Sequence, residues 1–125
     1  MNRERQMSKV LIVDDNQEIL DFIESCIEDV VTNLIKAFDG ESALLAFREN
    51  KPDLVITDYS MPRLNGLQLA ECIEKERPEC PVILVSGFEK IDGLELSLFA
   101  EVFQKPFSIK KFKQTVVRLL AEKNS

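Results

Sequence analysis

The stretch KVLIVDD, residues 9–15, is the part of the sequence that decides the fold class. An apolar run that ends abruptly in two acids, Asp14 and Asp15, is typical of a buried β-strand with polar side chains at its carboxyl end. A helical pattern follows at once, because Asn16 can cap a helix and apolar residues then recur at helical spacing. The opening of the chain therefore predicts a strand followed by a helix.

The same order recurs along the rest of the chain. Further short apolar runs predict strands at residues 33–38, 54–57, 81–85 and 102–104. The turn pair Asp39-Gly40 is expected to close the first of these. A helix follows each strand, although the one expected between residues 88 and 101 is interrupted by Gly93. Strands that are nearly all apolar indicate a parallel sheet that is covered on both faces. We therefore predict an α/β fold, a three-layer (βα)5 sandwich around a five-stranded parallel sheet.

The composition excludes several classes of chemistry. The chain carries 16 Lys and Arg against 22 Asp and Glu, a formal net charge of −6, and it has no histidine. Catalytic triads, histidine zinc ligands and phosphohistidine on this chain are therefore excluded. The acidic balance argues against direct binding of nucleic acid, which needs clustered basic residues. The apolar runs are too short to cross a bilayer, so we expect no membrane insertion.

A single domain accounts for most of the 125 residues. We assign a flexible N-terminal leader to residues 1–8, the domain to residues 9–122 and a C-terminal tail to residues 123–125. The three cysteines include no CxxC pair and follow no secretory leader, so we expect reduced thiols in a cytoplasmic protein.

Polar side chains stand where the predicted strands end, and ligands of open parallel sheets bind beyond those carboxyl ends. The set contains three carboxylates, one hydroxyl and one ammonium: Asp14, Asp15, Asp58, Ser86 and Lys105. Packed carboxylates repel one another unless a cation intervenes, and Mg²⁺ favours oxygen ligands. The ammonium and the hydroxyl can hold phosphate oxygens. The set therefore suits phosphoryl chemistry with a carboxylate nucleophile.

The strings around these residues resemble the receiver domain of bacterial response regulators, which act in two-component phosphorelay signalling. Residues 58–66 read DYSMPRLNG and residues 105–107 read KPF, each directly after its strand. The resemblance spans about residues 8–122. It implies a flavodoxin-like, chemotaxis-type fold with strand order 2-1-3-4-5. It also implies a phosphoacceptor domain and no enzyme beyond self-catalysed phosphorylation and dephosphorylation of its own aspartate.

The resemblance assigns roles to the acids. Asp58 would accept a phosphoryl group from a partner histidine kinase or phosphotransfer protein. Asp15, Asp58 and the backbone carbonyl of Ser60 would ligate Mg²⁺ or Mn²⁺, and Asp14 would contribute mainly through a bridging water.

The resemblance places the phosphoryl contacts and the switch on the last two strands. Ser86 and Lys105 would contact phosphoryl oxygens, and Lys105-Pro106 would be a cis peptide bond. Many receivers carry Tyr or Phe three residues before this lysine as a rotating switch, whereas this chain has Val102. Phe103 comes next, but neighbouring residues on a strand face opposite sides, so it cannot simply replace that aromatic. The switch and output residues are therefore Ser86, Val102 and Phe103, with an altered readout.

Several functions stay open at this point. The first is a phosphorylation-dependent switch that changes its contact surface for a downstream protein, or for an output domain missing from these 125 residues. A receiver cut from a hybrid histidine kinase, acting as a relay or phosphate sink, is a close variant. A phosphate-independent scaffold is a second alternative, which Val102 keeps open. A small Mg²⁺-dependent phosphohydrolase is a third, weakened by the lack of a recognisable substrate-binding insertion.

The charges are segregated along the chain. Residues 14–29 contain seven acids and no base, whereas residues 105–118 contain five bases and no acid. In the implied fold the first and last helices lie side by side. We therefore expect ion pairs between them, each worth about 0–1 kcal/mol when exposed.

Overall fold

The computed structural model describes residues 8–87 and 96–123. Within these ranges the chain forms five strands and four helices: β1 Lys9–Val13, α1 Gln17–Ile27, β2 Asn33–Ala37, α2 Gly40–Asn50, β3 Leu54–Asp58, α3 Gly66–Glu76, β4 Val82–Ser86, β5 Glu101–Gln104 and α4 Ile109–Lys123. All strand pairs are parallel, and the order across the sheet is β2-β1-β3-β4-β5. The predicted α/β fold and its strand order are therefore confirmed.

Two details near the end of the second strand differ from the prediction, and a third prediction concerns residues that the structure does not describe. The helix expected between residues 88 and 101 falls mostly outside the described residues. The second strand ends at Ala37, and Phe38 is exposed. The chain bends at Phe38 and Asp39, close to the expected turn, but the bend leads directly into α2, and Asp39 stands at the N-terminus of that helix. Its carboxylate accepts a hydrogen bond from the backbone N–H of Ser42 at 2.7 Å, so Asp39 caps α2 and Gly40 is the first residue of that helix.

The sheet is buried on both faces, and each face has its own hydrophobic core. On one face α1 and α4 pack against Ile12 and Ile56, with Phe112 fully buried. On the other face α2 and α3 pack against Leu11, with Phe47 almost fully buried. Alternate strand residues point to opposite faces, so an apolar run covers both sides at once. Two apolar layers hold the strand ends in place and leave their carboxyl edge for polar groups.

Ser8 directly precedes β1 and is fully buried, although we assigned it to the leader. Its hydroxyl oxygen accepts a hydrogen bond from the backbone N–H of Thr32 at 2.9 Å. Its carbonyl oxygen accepts one from the N–H of Asn33, also at 2.9 Å. These bonds tie the start of β1 to the start of β2.

The expected pairing between the first and last helices is present. Lys113 of α4 donates to the carboxylate of Asp29, just beyond α1, at 2.6 Å. The pair is solvent-exposed, so its contribution is modest. No disulfide joins the three cysteines, all of which lie in the described ranges. None of the helices in those ranges combines the length and hydropathy that a bilayer-spanning segment requires.

Candidate functional site

Two of the candidate acids are buried at the carboxyl edge of the sheet. Asp14 follows β1 and is 2% exposed, and Asp58 ends β3 and is 8% exposed. The Asp14 N–H donates to the carbonyl of Ala37 at 3.2 Å, which continues the β1–β2 pairing past the end of β1. Asp15 is exposed, but one oxygen from each of the three acids lies within 4.8 Å of the others. The fold therefore brings the three acids together.

Lys105 supplies the positive charge of the site. Its Nζ lies 3.4 Å from Oδ1 of Asp58 and 3.6 Å from Oδ2 of Asp14. Its backbone N–H donates to the carbonyl of Ser86 at 2.8 Å, which links the ends of β5 and β4. The bond between Lys105 and Pro106 is cis, as the family resemblance implies. The ammonium thus lies between the two buried carboxylates.

The electrostatics of the site disfavour simultaneous ionisation of Asp14 and Asp58. Burial, and then the nearby charge of Asp14, raise the pKa of Asp58 to about 6, although Lys105 acts in the opposite direction. Burial also raises the pKa of Asp14, against the N–H of Asn16 and the charge of Lys105. The single positive charge of Lys105 does not balance two buried negative carboxylates, so the site favours binding of a further cation or of a proton.

The donor atoms of the site fit a hard divalent cation. Oδ1 of Asp14 accepts a hydrogen bond from the N–H of Asn16 at 2.9 Å, but Oδ2 is buried and accepts none within the described residues. The 3.6 Å to Lys105 Nζ is an ion-pair distance, too long for a hydrogen bond. An unsatisfied buried carboxylate oxygen is costly, and coordination to Mg²⁺ is one way to satisfy it.

The loop between β3 and α3, residues 59–65, forms the outer wall of the site. With Asp15 it borders an open cavity of about 420 Å³, lined by Asp15, Tyr59, Ser60, Met61, Pro62 and Asn65. Ser60 is exposed in this loop and lines the same cavity as Asp15. The loop is closed by a hydrogen bond from the N–H of Gly66 to the carbonyl of Tyr59 at 2.8 Å.

Gly66 is required by a close approach. A Cβ at this position would overlap the carbonyl oxygen of Asp58 and lie 3.0 Å from Cα of Tyr59. Its neighbour Asn65 caps α3, accepting from the N–H of Gln68, and Gln68 accepts in return from the N–H of Asn65. This reciprocal cap fixes the direction in which the loop enters the helix.

The remaining candidate residues lie on β4 and β5. Ser86 ends β4 and is buried, one residue beyond the partner of Asp58 in the β3–β4 register. Val102 of β5 is 37% exposed. Phe103 belongs to the opposite face, where its ring lies 5.7 Å from that of Phe107 and 5.3 Å from that of Phe112. The aromatic of β5 is therefore a packing residue of the α1–α4 core.

Sequence reasoning missed two contacts near the site. Gly40, at the start of α2, lies directly against Leu64 of the β3–α3 loop. The side chain of Gln104 donates to the carbonyl of Gly87 at 3.3 Å. Neither contact has a local sequence signal, because each joins residues that are distant along the chain.

Comparison with known proteins agrees with this geometry. The model of the family described as "Response regulator receiver domain" matches residues 10–117. The chain belongs to this family. Receiver domains bind Mg²⁺ at their acidic pocket and interact with histidine kinases and output domains. The acids Asp14, Asp15 and Asp58 lie where such a pocket is expected, at the carboxyl edge of the sheet.

Curated relatives of this receiver domain include transcriptional regulators. One is the "Alkaline phosphatase synthesis transcriptional regulatory protein PhoP" of Bacillus subtilis, 30% identical over 90% of this chain and 48% of the relative. Another is the "Probable transcriptional regulator ycf27" of Guillardia theta, 35% identical over 93% of this chain and 46% of the relative. The chain spans about half the length of these relatives.

Solved structures share the fold closely. A response regulator receiver domain protein from Clostridium thermocellum superposes with a TM-score of 0.85, at 28% identity over 94% of this chain and 98% of that one. The receiver domain of the Francisella response regulator 1452 has a TM-score of 0.82, at 30% identity over 92% of this chain and 98% of that one. The receiver architecture of this chain is thus shared over nearly its whole length.

Proposed function

We propose that this receiver domain is a phosphorylation-dependent switch that accepts a phosphoryl group on Asp58 from a phosphohistidine of a partner protein. One observation carries the proposal: a buried carboxylate lies 3.4 Å from an ammonium and within reach of two further acids, one with an unsatisfied buried oxygen. That is an arrangement for holding a phosphoryl group and a cation side by side.

Asp58 is the nucleophile in this proposal. A carboxylate oxygen attacks phosphorus while the P–N bond of the donor phosphohistidine breaks, and the bonding electrons stay on the donor imidazole. These 125 residues contain no histidine, so the donor imidazole lies outside them. The strand β3 holds Asp58 rigidly, since all five of its residues are buried. A fixed nucleophile lowers the entropic cost of the in-line approach.

The other acids and the loop serve the metal. Asp15, Asp58 and the backbone carbonyl of Ser60 would hold Mg²⁺, or Mn²⁺ in its place, and Asp14 would contribute through water. The bound ion would supply positive charge that neutralises the transferring phosphoryl oxygens. Asp58 reacts as the carboxylate, and a bound cation would favour that form.

Lys105 and Ser86 respond to the product. The ammonium of Lys105, now between Asp14 and Asp58, would bind a phosphoryl oxygen, and the hydroxyl of Ser86 would donate to another. Both residues are joined through the hydrogen bond between the Lys105 N–H and the Ser86 carbonyl. A displacement of Lys105 or Ser86 is therefore transmitted to the end of the neighbouring strand. The resulting change in the β4–β5 surface is what a downstream protein would recognise.

The output is a protein contact in this proposal. A downstream protein, or an output domain beyond these residues, would bind the changed surface in the cytoplasm, without membrane insertion and without direct contact of this domain with nucleic acid. The half-length match to transcriptional regulators supports an attached or separate output partner. Val102 and Phe103 cannot supply a rotating aromatic on the exposed face, so the readout relies on Ser86 and the backbone that follows it.

The direct test is covalent modification. Purified protein is incubated with Mg²⁺ and acetyl phosphate, and the intact mass is measured. We expect the addition of one phosphoryl group, dependent on Mg²⁺ and absent in Asp58→Asn. Asp29→Asn is the matched control, because it removes an exposed acid near the end of α1 and leaves the sheet edge intact.

Other outcomes would favour other functions. A wild-type protein that shows neither modification nor Mg²⁺ binding would contradict the switch and favour a phosphate-independent scaffold. The exposed Val102, at the position of the usual aromatic switch residue, is the feature that favours this alternative. Multiple turnovers of a phosphate ester that survive Asp58→Asn would instead indicate a phosphohydrolase.

A further inference from the structure

The β3–α3 loop, which contains Ser60, rests on the first turn of α2. Gly40 is buried, and a Cβ built there would overlap the carbonyl oxygen of Leu64 and lie 2.7 Å from its carbonyl carbon. The atoms it would meet belong mainly to the loop backbone, so they cannot move aside as a flexible side chain would. Contact this close is possible only because position 40 lacks a side chain.

A second set of contacts joins the same two segments. Arg63, beside Leu64, forms an ion pair with Glu41 of α2 at 3.4 Å. Arg63 has a φ of 73°, in the left-handed region, and the N–H of Leu64 donates to the carbonyl of Pro62 at 2.8 Å. The loop is thus bent sharply at the point where it meets the helix. A non-glycine residue held at positive φ indicates a conformation that its surroundings impose.

The helix is the firmer of the two partners. Ala43 and Phe47 fasten α2 into the core with 0% and 1% exposure, whereas the loop buries Met61 but exposes both Pro62 and Arg63. Asp39 also holds the first turn of the helix through its bond to the Ser42 N–H. Steric pressure between helix and loop is therefore relieved by movement of the loop.

A displacement of Leu64 would also displace a candidate metal ligand in the same loop. The loop is tied at its two ends by the hydrogen bond from the Gly66 N–H to the carbonyl of Tyr59, next to Asp58. Ser60 lies between these ends, so a displaced Leu64 shifts the backbone that carries its carbonyl. We propose that Gly40 is a positioning residue for metal binding: its missing side chain lets the Ser60 loop seat on α2. This inference rests on the proposed function, because it assumes that the acidic pocket binds Mg²⁺.

The test compares metal affinity with stability in three proteins. Mg²⁺ dissociation constants are measured by isothermal titration calorimetry for wild type, Gly40→Ala and Ala43→Gly, and unfolding is measured in EDTA. Ala43→Gly weakens the same helix from its buried side without adding atoms toward the loop. We expect Gly40→Ala to raise the Mg²⁺ dissociation constant about tenfold or more, the range typical for residues that support metal ligands. Ala43→Gly should lose stability and keep its Mg²⁺ affinity within about twofold.

Each other outcome has a defined meaning. If wild type binds no Mg²⁺, both the proposed function and the inference fail. If wild type binds Mg²⁺ but Gly40→Ala binds equally well, or Ala43→Gly loses as much affinity, the inference alone is wrong. If Gly40→Ala does not fold, Leu64→Ala replaces it: it keeps the atoms that face Gly40 but removes the side chain that packs the loop against the α2–α3 core. It should raise the dissociation constant about threefold, and an unchanged value would overturn the inference.

Discussion

The two halves of the carboxyl edge of the sheet are built differently. The acceptor half, which comprises Asp14, Asp58 and the loop of residues 59–65, is fixed by close backbone contacts. The response half, which comprises Ser86 and residues 102–105, includes β5, whose residues are partly buried or exposed, although the Lys105 N–H holds the Ser86 carbonyl at 2.8 Å. Gly66 permits backbone approach at van der Waals limits in the first half, whereas the Gln104–Gly87 bond in the second is 3.3 Å and solvent-exposed.

The difference matches the tasks proposed for each half. A nucleophile and its metal ligands need a preorganised geometry, because small displacements cost reaction rate. A switch needs two states of similar free energy, which close packing would prevent. The ion pairs from Lys105 to the two acids, at 3.4 and 3.6 Å, join the halves and can rearrange when a phosphoryl group arrives. Changes that disturb packing should therefore be costly in the acceptor half and mild in the response half.

The largest effect is expected from Gly66→Ala in the acceptor half. The added Cβ would overlap the carbonyl oxygen of Asp58, so the loop or the strand must shift. Overpacking of this kind costs about 1–3 kcal/mol of unfolding free energy. Guanidinium unfolding at constant pH measures the loss. A change below about 0.5 kcal/mol would show that the acceptor half is less tightly packed than its contacts indicate.

Asp58→Asn should stabilise the metal-free protein. The pKa of Asp58 is about 6 in the folded protein against 3.8 for the ordinary group, so the unfolded chain loses its proton first as the pH rises. Wild type therefore loses stability between about pH 4 and pH 7, whereas the neutral amide does not. In EDTA the variant should gain roughly 2–3 kcal/mol relative to wild type between pH 3.5 and pH 7.5. A difference that does not change with pH would contradict the buried, under-compensated carboxylate.

Lys105→Met tests the link between the halves. The ammonium lies beside the carboxylates that would bind Mg²⁺, so its charge repels the metal ion. Its removal should tighten Mg²⁺ binding on the order of tenfold at low salt, and should weaken the response of Ser86 to phosphorylation. Isothermal titration calorimetry with Mg²⁺ measures the first effect. Weaker binding in the variant would show that Lys105 supports the metal site instead of opposing it.

The smallest effect is expected from Val102→Ala in the response half. Val102 is 37% exposed, so truncation removes little buried surface and should cost less than about 1 kcal/mol. Phosphorylation with acetyl phosphate should proceed at the wild-type rate, because the acceptor half is untouched. A rate lowered tenfold would mean that Val102 acts on Asp58 and that the two halves are not separable in this way.

The strands and the α/β fold class could be predicted from the sequence, because the pattern that indicates a strand lies within a few consecutive residues. The three central strands are short, mainly apolar runs, and Asp14 and Asp58 stand directly after or at the end of one. Parallel pairing then brings the strand ends to one edge, so the acid cluster could be predicted before any coordinates. The cis bond before Pro106 was also predictable, through the family resemblance.

The remaining features depend on contacts between distant segments. Gly40 was interpreted as part of a turn, because an Asp-Gly pair is a turn signal, and nothing nearby in the sequence indicates that Leu64 packs on it. The steric requirement for glycine at position 66 could not be predicted either, since the carbonyl of Asp58 approaches Gly66 only in the folded chain. Residues that support a site through tertiary packing leave no periodic or motif signal of their own.

The central claim is that occupation of Asp58 in the acceptor half changes the response half. Two-dimensional amide NMR spectra of the protein with Mg²⁺, before and after addition of beryllofluoride as a phosphoryl analogue, test it most directly. The account predicts shifts at Asp58 and its loop and also at Ser86, Gly87 and Lys105, all absent in Asp58→Asn. Shifts confined to the acceptor half, or none at all, would contradict it.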